Sequence, residues 1–451
     1  MISKMLAEFI RGTVYENLPQ EAVQAAKIAF LDWLGSAAAG GLLEPSQKAL
    51  AVIRGQGGLP QATLLANGEK TSCLHAALGN GLASHIVELD DVNRSAIIHA
   101  AAAVMPAALA VAEMSGCSGR QLIEAVVAGY ETAIRVGEAV TPSHYYYWHT
   151  TGTCGTFGAA AAAGKLLDLN TEQLVWGLGS AGTQAAGLWE FLADGAMSKH
   201  LHPGKAAQNG VLAALLAREG FTGASRIIEG ERGFCHAMAP RFDLSRITAG
   251  LGQPPYKIND NSFKIHASCR HTHPAVDLIL ELCSGGVIEA GEVKNITIYT
   301  YGTALDITAN YQPDTVYAAK FSLPFCAALA LMNKSCGLSD FTAAALADTE
   351  IRALMSLVTL VKDEELERLH PARWPARVVI TTNSGAVYSR RTDFPKGDPE
   401  NPVAASELAA KFHMLADSPW GKEKTAFLEK AALSMESVDD VRNLFNKKGA
   451  I

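Results

Sequence analysis

The feature that most constrains the fold is a change of texture near residue 255. Before it, apolar and small residues recur at steps of three and four. After Pro19, the series Ala22, Ala26, Ala29, Phe30, Trp33 and Ala37 runs to Gly40-Gly41, which predicts an amphipathic helix with its own start and stop. Ala100 to Ala103 and Ala159 to Ala163 fall in further helices whose small side chains let axes approach closely, as in a large bundle. Gln61 to Ala66, followed by Asn67-Gly68, is a brief hairpin signal. After residue 255, β-branched residues gather in Val293 to Thr300 and in Ala376 to Thr382, and the second run meets Asn383-Ser384-Gly385 before Ala386 to Ser389. That pattern predicts a β-hairpin. Helical segments lie around Pro274 to Cys283 and Phe325 to Leu331, and after the loop Phe394 to Pro402 helix resumes. The expected fold is mainly α: a large all-helical domain from residues 1–258 and 397–451, with a smaller α+β lid domain, 259–396, inserted.

Composition excludes several classes of function. The chain has 451 residues, 49% hydrophobic and 18% charged, the opposite of a disordered segment. A net charge of −7 without any Lys/Arg run gives no footprint for a phosphate backbone, so no nucleic-acid partner is expected. The longest apolar stretch, Ala100 to Ala112, contains Pro106 and is too short to span a bilayer. The charged first residues do not suit a secretory leader, so a cytoplasmic location with no membrane partner is expected. The eight cysteines, 73, 117, 154, 235, 269, 283, 326 and 336, form no Cys-x-x-Cys pair. They read as reduced, and their scatter argues against a structural zinc or an iron–sulfur cluster.

Histidine placement points to the chemistry. Of 13 histidines, 11 lie between His75 and His273. Four segments combine proton-transfer groups with charge: His85 to Asp91 with His99 after it, Trp148 to Thr153, Ser198 to Lys205, and Lys264 to His273. They offer cations for an anionic substrate and bases for its C–H bonds. Plainer roles stand beside each. The two His-x-His pairs could hold a metal, but no helical His-Glu-x-x-His accompanies them. Asp90-Asp91 reads equally well as a helix cap. Cys269 beside Arg270 lacks a fixed base and reads as structural.

Six separated segments resemble the successive motifs of the MmgE/PrpD family: Leu89-Asp90-Asp91; His149-Thr150-Thr151-Gly152-Thr153 and the Gly-Thr-Phe-Gly that follows; Lys199 to Gly204; Ser268 to His273; Ala319 to Pro324; and Pro395 to Pro402. That family includes 2-methylcitrate dehydratase, cis-aconitate decarboxylase and iminodisuccinate epimerase. The resemblance implies a helical domain plus a smaller lid, usually in a homodimer, with a site between them that uses neither metal nor cofactor and takes a small anionic carboxylate. It carries catalytic roles over to His99, His149, Lys199 and Lys264. Glu88, Asp91, Tyr145, His202, Arg270 and His271 are the candidate substrate-binding residues.

The chain departs from the family pattern in places. Members commonly read Asp-x-Asp-Asp-Thr where this chain has Glu88-Leu89-Asp90-Asp91-Val92, and tyrosine where it has Phe325. Removing a proton next to a carboxylate creates an enediolate-like anion that close cations stabilise, and Lys199 with Lys264 would supply them. Dehydration also needs a donor for the departing hydroxide, and Val92 and Phe325 cannot donate. Metal-independent proton abstraction leading to epimerisation, as by iminodisuccinate epimerase, is therefore the expected reaction. A 2-methylcitrate dehydratase-like or cis-aconitate decarboxylase-like lyase is the alternative, and a catalytically silent binding protein is the alternative of another class.

Overall fold

The computed structural model describes residues 1–284 and 288–445. It is mainly α, as the sequence predicts. The helix Gln20–Gly41 begins directly after Pro19, and the residue spacing that marked it supplies its buried face. Ala100–Ser115 is the innermost helix, with every residue from Ala100 to Glu113 buried. Its neighbours Gly119–Val140, Thr150–Leu166 and Ser198–Arg218 approach closely because side chains are missing where they meet. A Cβ on Gly158 would stand 2.6 Å from the Ala133 Cβ and 2.7 Å from the Gly129 carbonyl oxygen. Alanine and glycine in this part of the sequence thus serve packing.

The brief hairpin signal becomes two short antiparallel strands, Ala62–Thr63 and Lys70–Thr71. In the second half a four-stranded sheet runs in the order Val358–Lys362, Val293–Thr300, Ala376–Thr382, Val387–Thr392. Its first pair is parallel and the others antiparallel. Gly385 turns the predicted hairpin at φ +88°, a conformation that glycine adopts without steric cost. The strand Ala376–Thr382 buries alternate residues, and the helices His273–Cys283 and Leu323–Asn333 contribute to the same core.

Hydrophobic residues gather in two main cores. One draws on residues between Leu6 and Ile258 and again between Phe412 and Leu444. The other lies mostly between Ala267 and Ile380, with Ala39, Val87, Leu89 and Leu415 added. A smaller cluster joins Val92, Ile97, Tyr145, Trp189 and Phe191 to Tyr301, Ala304 and Trp374. Beside it, Val92–Asn93 pairs antiparallel with Asn261–Ser262, fixing the loop after Ile86 next to the segment that carries Lys264. All eight cysteines are free and buried. Among the described residues, no helix is long and apolar enough to cross a membrane.

Candidate active site

The helix Cys73–Ile86 ends before a loop in which Glu88 adopts φ +58°. A left-handed backbone is costly for a residue with a side chain and persists only where the surroundings impose it. Two ammonium groups hold the flanking carbonyls: Lys320 Nζ donates to the Val87 oxygen at 3.0 Å, and Lys411 Nζ to the Leu89 oxygen at 2.6 Å. Lys411 also pairs with Asp32 at 2.6 Å. The loop is thus pinned on both sides of Glu88.

The carboxylate delivered there meets three donors. Lys199 Nζ bonds Glu88 Oε1, Lys264 Nζ donates to Oε2 at 3.2 Å, and the Tyr317 hydroxyl donates to Oε1 at 2.8 Å. All three charged groups are buried. Burial alone would push the Glu88 carboxyl upward, but Lys199 and Lys264 outweigh it and hold the group well below the usual range. Tyr317 is pushed well above the ordinary phenol value by burial and by Glu88, so it keeps its proton. Burial lowers Lys320 to about 8, with Glu88 opposing that shift. The Phe321 ring lies 4.4 Å from Lys199 Nζ.

A row of imidazoles adjoins this cluster. His85 Nδ1 donates to Asp90 Oδ2 at 2.7 Å, and its ring stands 4.9 Å from His99 and 5.4 Å from His149. His99 Nδ1 donates to the Asp91 carbonyl at 2.7 Å. That bond fixes the tautomer and leaves Nε2 as the proton acceptor. His99 also follows a strained residue, since Ile97 has φ +49°. Burial holds His99 near 3 and His149 well below its ordinary value, so both are neutral bases. His149 and His202 share a hydrogen bond between their Nδ1 atoms at 3.2 Å. The nitrogen and oxygen atoms of His85, Asp90 and His99 lie within 4.8 Å of one another, a spacing that a metal ion could use. In this structure hydrogen bonds to Asp90 Oδ2 and the Asp91 carbonyl occupy Nδ1 of His85 and of His99.

The structure thus gathers Glu88, Lys199 and Lys264 in one cluster and His99, His149 and His202 in one row. Tyr145 packs on Trp189 with ring centroids 5.0 Å apart. His271 stacks on Trp374 at 4.3 Å and bonds the Tyr301 hydroxyl at 2.7 Å, while its buried Nε2 has no hydrogen-bond partner among the described residues. Two of the candidate binding residues hold partners within the chain. The Asp91 oxygens accept from the Ala101 amide at 3.2 Å, the Tyr130 hydroxyl at 2.6 Å and the Asn261 amide. Arg270 commits its terminal nitrogens to Asp398, His273 and the carbonyls of Pro395 and Lys396. The sequence reading missed His85, Asp90, Tyr317, Lys320 and Lys411. His85, Asp90 and Lys320 lay inside quoted segments, whereas Tyr317 and Lys411 carried no pattern.

Burial raises the Asp91 carboxyl to about 7, against the lowering effect of its hydrogen bonds to Tyr130 and Asn261. Because the folded value lies above that of the unfolded chain, the group favours folding most at low pH and loses that contribution as pH rises toward 7. Relative to wild type, Asp91→Asn is expected to gain stability between pH 4 and 7 at up to roughly 1.4 kcal/mol per pH unit. Denaturant titrations at several pH values check this, and parallel profiles would contradict it.

Both halves of the chain match the same family. Residues 4–247 match the MmgE/PrpD N-terminal domain and residues 266–436 the MmgE/PrpD C-terminal domain. The chain belongs to the MmgE/PrpD family. Among its curated relatives is the cis-aconitate decarboxylase-like protein oryM of Aspergillus oryzae, 27% identical over 98% of this chain and 96% of the relative. The cis-aconitate decarboxylase of Aspergillus terreus is 27% identical over 98% and 95%. That of Homo sapiens is 25% identical over 97% and 92%. These relatives support an enzyme.

Proposed function

We propose that this protein is a lyase that works on a small di- or tricarboxylate through a carbanion next to a carboxylate group, without a metal. The observation that carries this reading is the Glu88 carboxylate held by Lys199, Lys264 and Tyr317: two cations and a hydroxyl donor converge on one anion-binding point. There the ammonium groups stabilise the charge that develops when the electron pair of the α carbon spreads into the carboxylate. His99, neutral and with its tautomer fixed, is suited to exchange the proton. The α+β part serves as a lid over this point.

The curated relatives named as cis-aconitate decarboxylases or decarboxylase-like favour a lyase over an epimerase. The main argument for epimerisation was the loss of hydroxyl donors at Val92 and Phe325. Both residues are buried in apolar clusters, but Tyr317 supplies a hydroxyl from a different segment. Epimerisation is the second reading, favoured by the apolar settings of those two side chains.

The test is incubation with a panel of di- and tricarboxylates in D2O, followed by NMR. The lyase reading expects a cleaved product. It also expects Tyr317→Phe to lower cleavage by about 10²-fold or more, while deuterium uptake at the α carbon falls by less than about tenfold. Scrambled stereochemistry without cleavage would favour the epimerase. Equal cleavage by Tyr317→Phe would remove Tyr317 from the donor role.

A further inference from the structure

The cluster of Glu88 with Lys199 and Lys264 also bears on how many carboxylates a ligand brings. Other cations near the site are committed elsewhere: Lys320 to the Val87 carbonyl, Lys411 to Asp32 and the Leu89 carbonyl, and Arg270 to Asp398. Lys199 and Lys264 remain, and one carboxylate from the chain already lies between them. Lys320 keeps its charge against a neutral carbonyl, and Glu88 offsets one unit of the positive charge that the lysines present to a ligand.

The approach to this point reinforces the balance. A cavity of about 460 Å³ reaches Tyr317, which bonds Glu88, and Phe321, which lies over Lys199. Its lining includes Asp194, Asp306 and Asp314, and among the described residues it holds no lysine or arginine. A ligand entering through this cavity would pass three carboxylates before reaching a cation pair that is already half neutralised.

We infer that Glu88 is a specificity-determining residue, a resident counter-ion between Lys199 and Lys264 that makes the site select two-carboxylate substrates over three-carboxylate ones. The inference rests on the proposed carboxylate chemistry and narrows its substrate class. Glu88 removes one unit of the positive charge that a further carboxylate would need. Whichever of His149 and His202 accepts at Nδ1 in their shared bond carries its proton on Nε2 and can donate to a second carboxylate. A third meets Glu88 and the aspartates of the mouth, and juxtaposed like charges oppose binding strongly. The pinned loop gives the arrangement its persistence, because the backbone at Glu88 cannot move without releasing Lys320 or Lys411.

The test is calorimetric titration of the full chain with 2-methylbutanedioate and with propane-1,2,3-tricarboxylate, which differ by one carboxyl group. Wild type is expected to bind the dicarboxylate at least about tenfold more tightly. Glu88→Gln, of similar shape but uncharged, is expected to shrink that ratio by about tenfold or reverse it, whereas Glu88→Asp keeps the charge and the preference. Equal or tighter binding of the tricarboxylate by wild type overturns the inference, as does an unchanged ratio in Glu88→Gln or failure of both compounds to bind wild type. The wild-type ratio decides the matter if Glu88→Gln does not fold. If the ratio is as expected but no carboxylate is cleaved or exchanged, the proposed reaction fails while the charge selection stands.

Discussion

Replacing Lys199 by Met is expected to lower turnover by about 10²- to 10³-fold, the usual effect of removing one contact that stabilises a developing anion. Lys264→Met should act alike, since the two lysines bond opposite oxygens of the same carboxylate. Each single variant also leaves Glu88 buried with one cation fewer. Breaking a buried ion pair from one side typically costs about 3 to 5 kcal/mol, so thermal stability should fall too. The double variant Lys199→Met with Glu88→Gln leaves Lys264 buried without its carboxylate and should be no more stable than Lys199→Met. Thermal midpoints measured beside turnover separate the catalytic effect from folding. Losses below about tenfold in both single variants would mean that the lysines are not the anion-stabilising pair.

A second large effect is expected far from the reacting atoms. Gly397 has φ +97°, and a Cβ there would stand 1.9 Å from the Phe263 carbonyl oxygen. The Gly397 carbonyl accepts the Phe263 amide at 2.9 Å, so this close approach fixes the residue just before Lys264. The same loop presents Asp398 to Arg270 at 2.6 Å and to Arg94 at 2.8 Å. Gly397→Ala must adopt a disfavoured backbone and push the Phe263 backbone away. Together these cost about 3 kcal/mol or more and lower the thermal midpoint by roughly 5 °C. Displacing Lys264 by about 1 Å is enough to reduce turnover by about 10²-fold. Calorimetry and turnover measured on one preparation check both effects, and a variant that matches wild type in both would show that the loop does not position Lys264.

Features set by local spacing were legible in the sequence. The helix Gln20–Gly41 followed from its three- and four-residue period between Pro19 and Gly40, and the hairpin of Ala376–Thr382 with Val387–Thr392 followed from Asn383-Ser384-Gly385. The strand Val358–Lys362 was not read: it is five residues long and directly follows the helix Thr349–Ser356. Lys199 and Lys264 stood out because charged residues beside histidines are conspicuous. What bonds them was hidden, since Glu88 lies 111 and 176 positions away. Its left-handed backbone belongs to no residue preference and is imposed by Lys320 and Lys411, which arrive from distant segments. The partner of Arg270 was equally hidden, since Asp398 lies 128 positions further on. Tyr317 escaped notice because a lone tyrosine has no pattern, although it offers the hydroxyl that the sequence reading found missing at Val92 and Phe325.

The central claim is that the Lys199, Lys264 and Glu88 cluster supports a carbanion beside a substrate carboxylate. The most direct measurement is deuterium uptake from D2O at the α carbon of small di- and tricarboxylates, followed by proton NMR with wild type, Lys199→Met and Lys264→Met. The account predicts time-dependent loss of the α-proton signal with wild type on at least one compound, slowed by about 10²-fold or more in each variant. Retention of every α proton by wild type across the panel, or equal exchange by all three proteins, would contradict it.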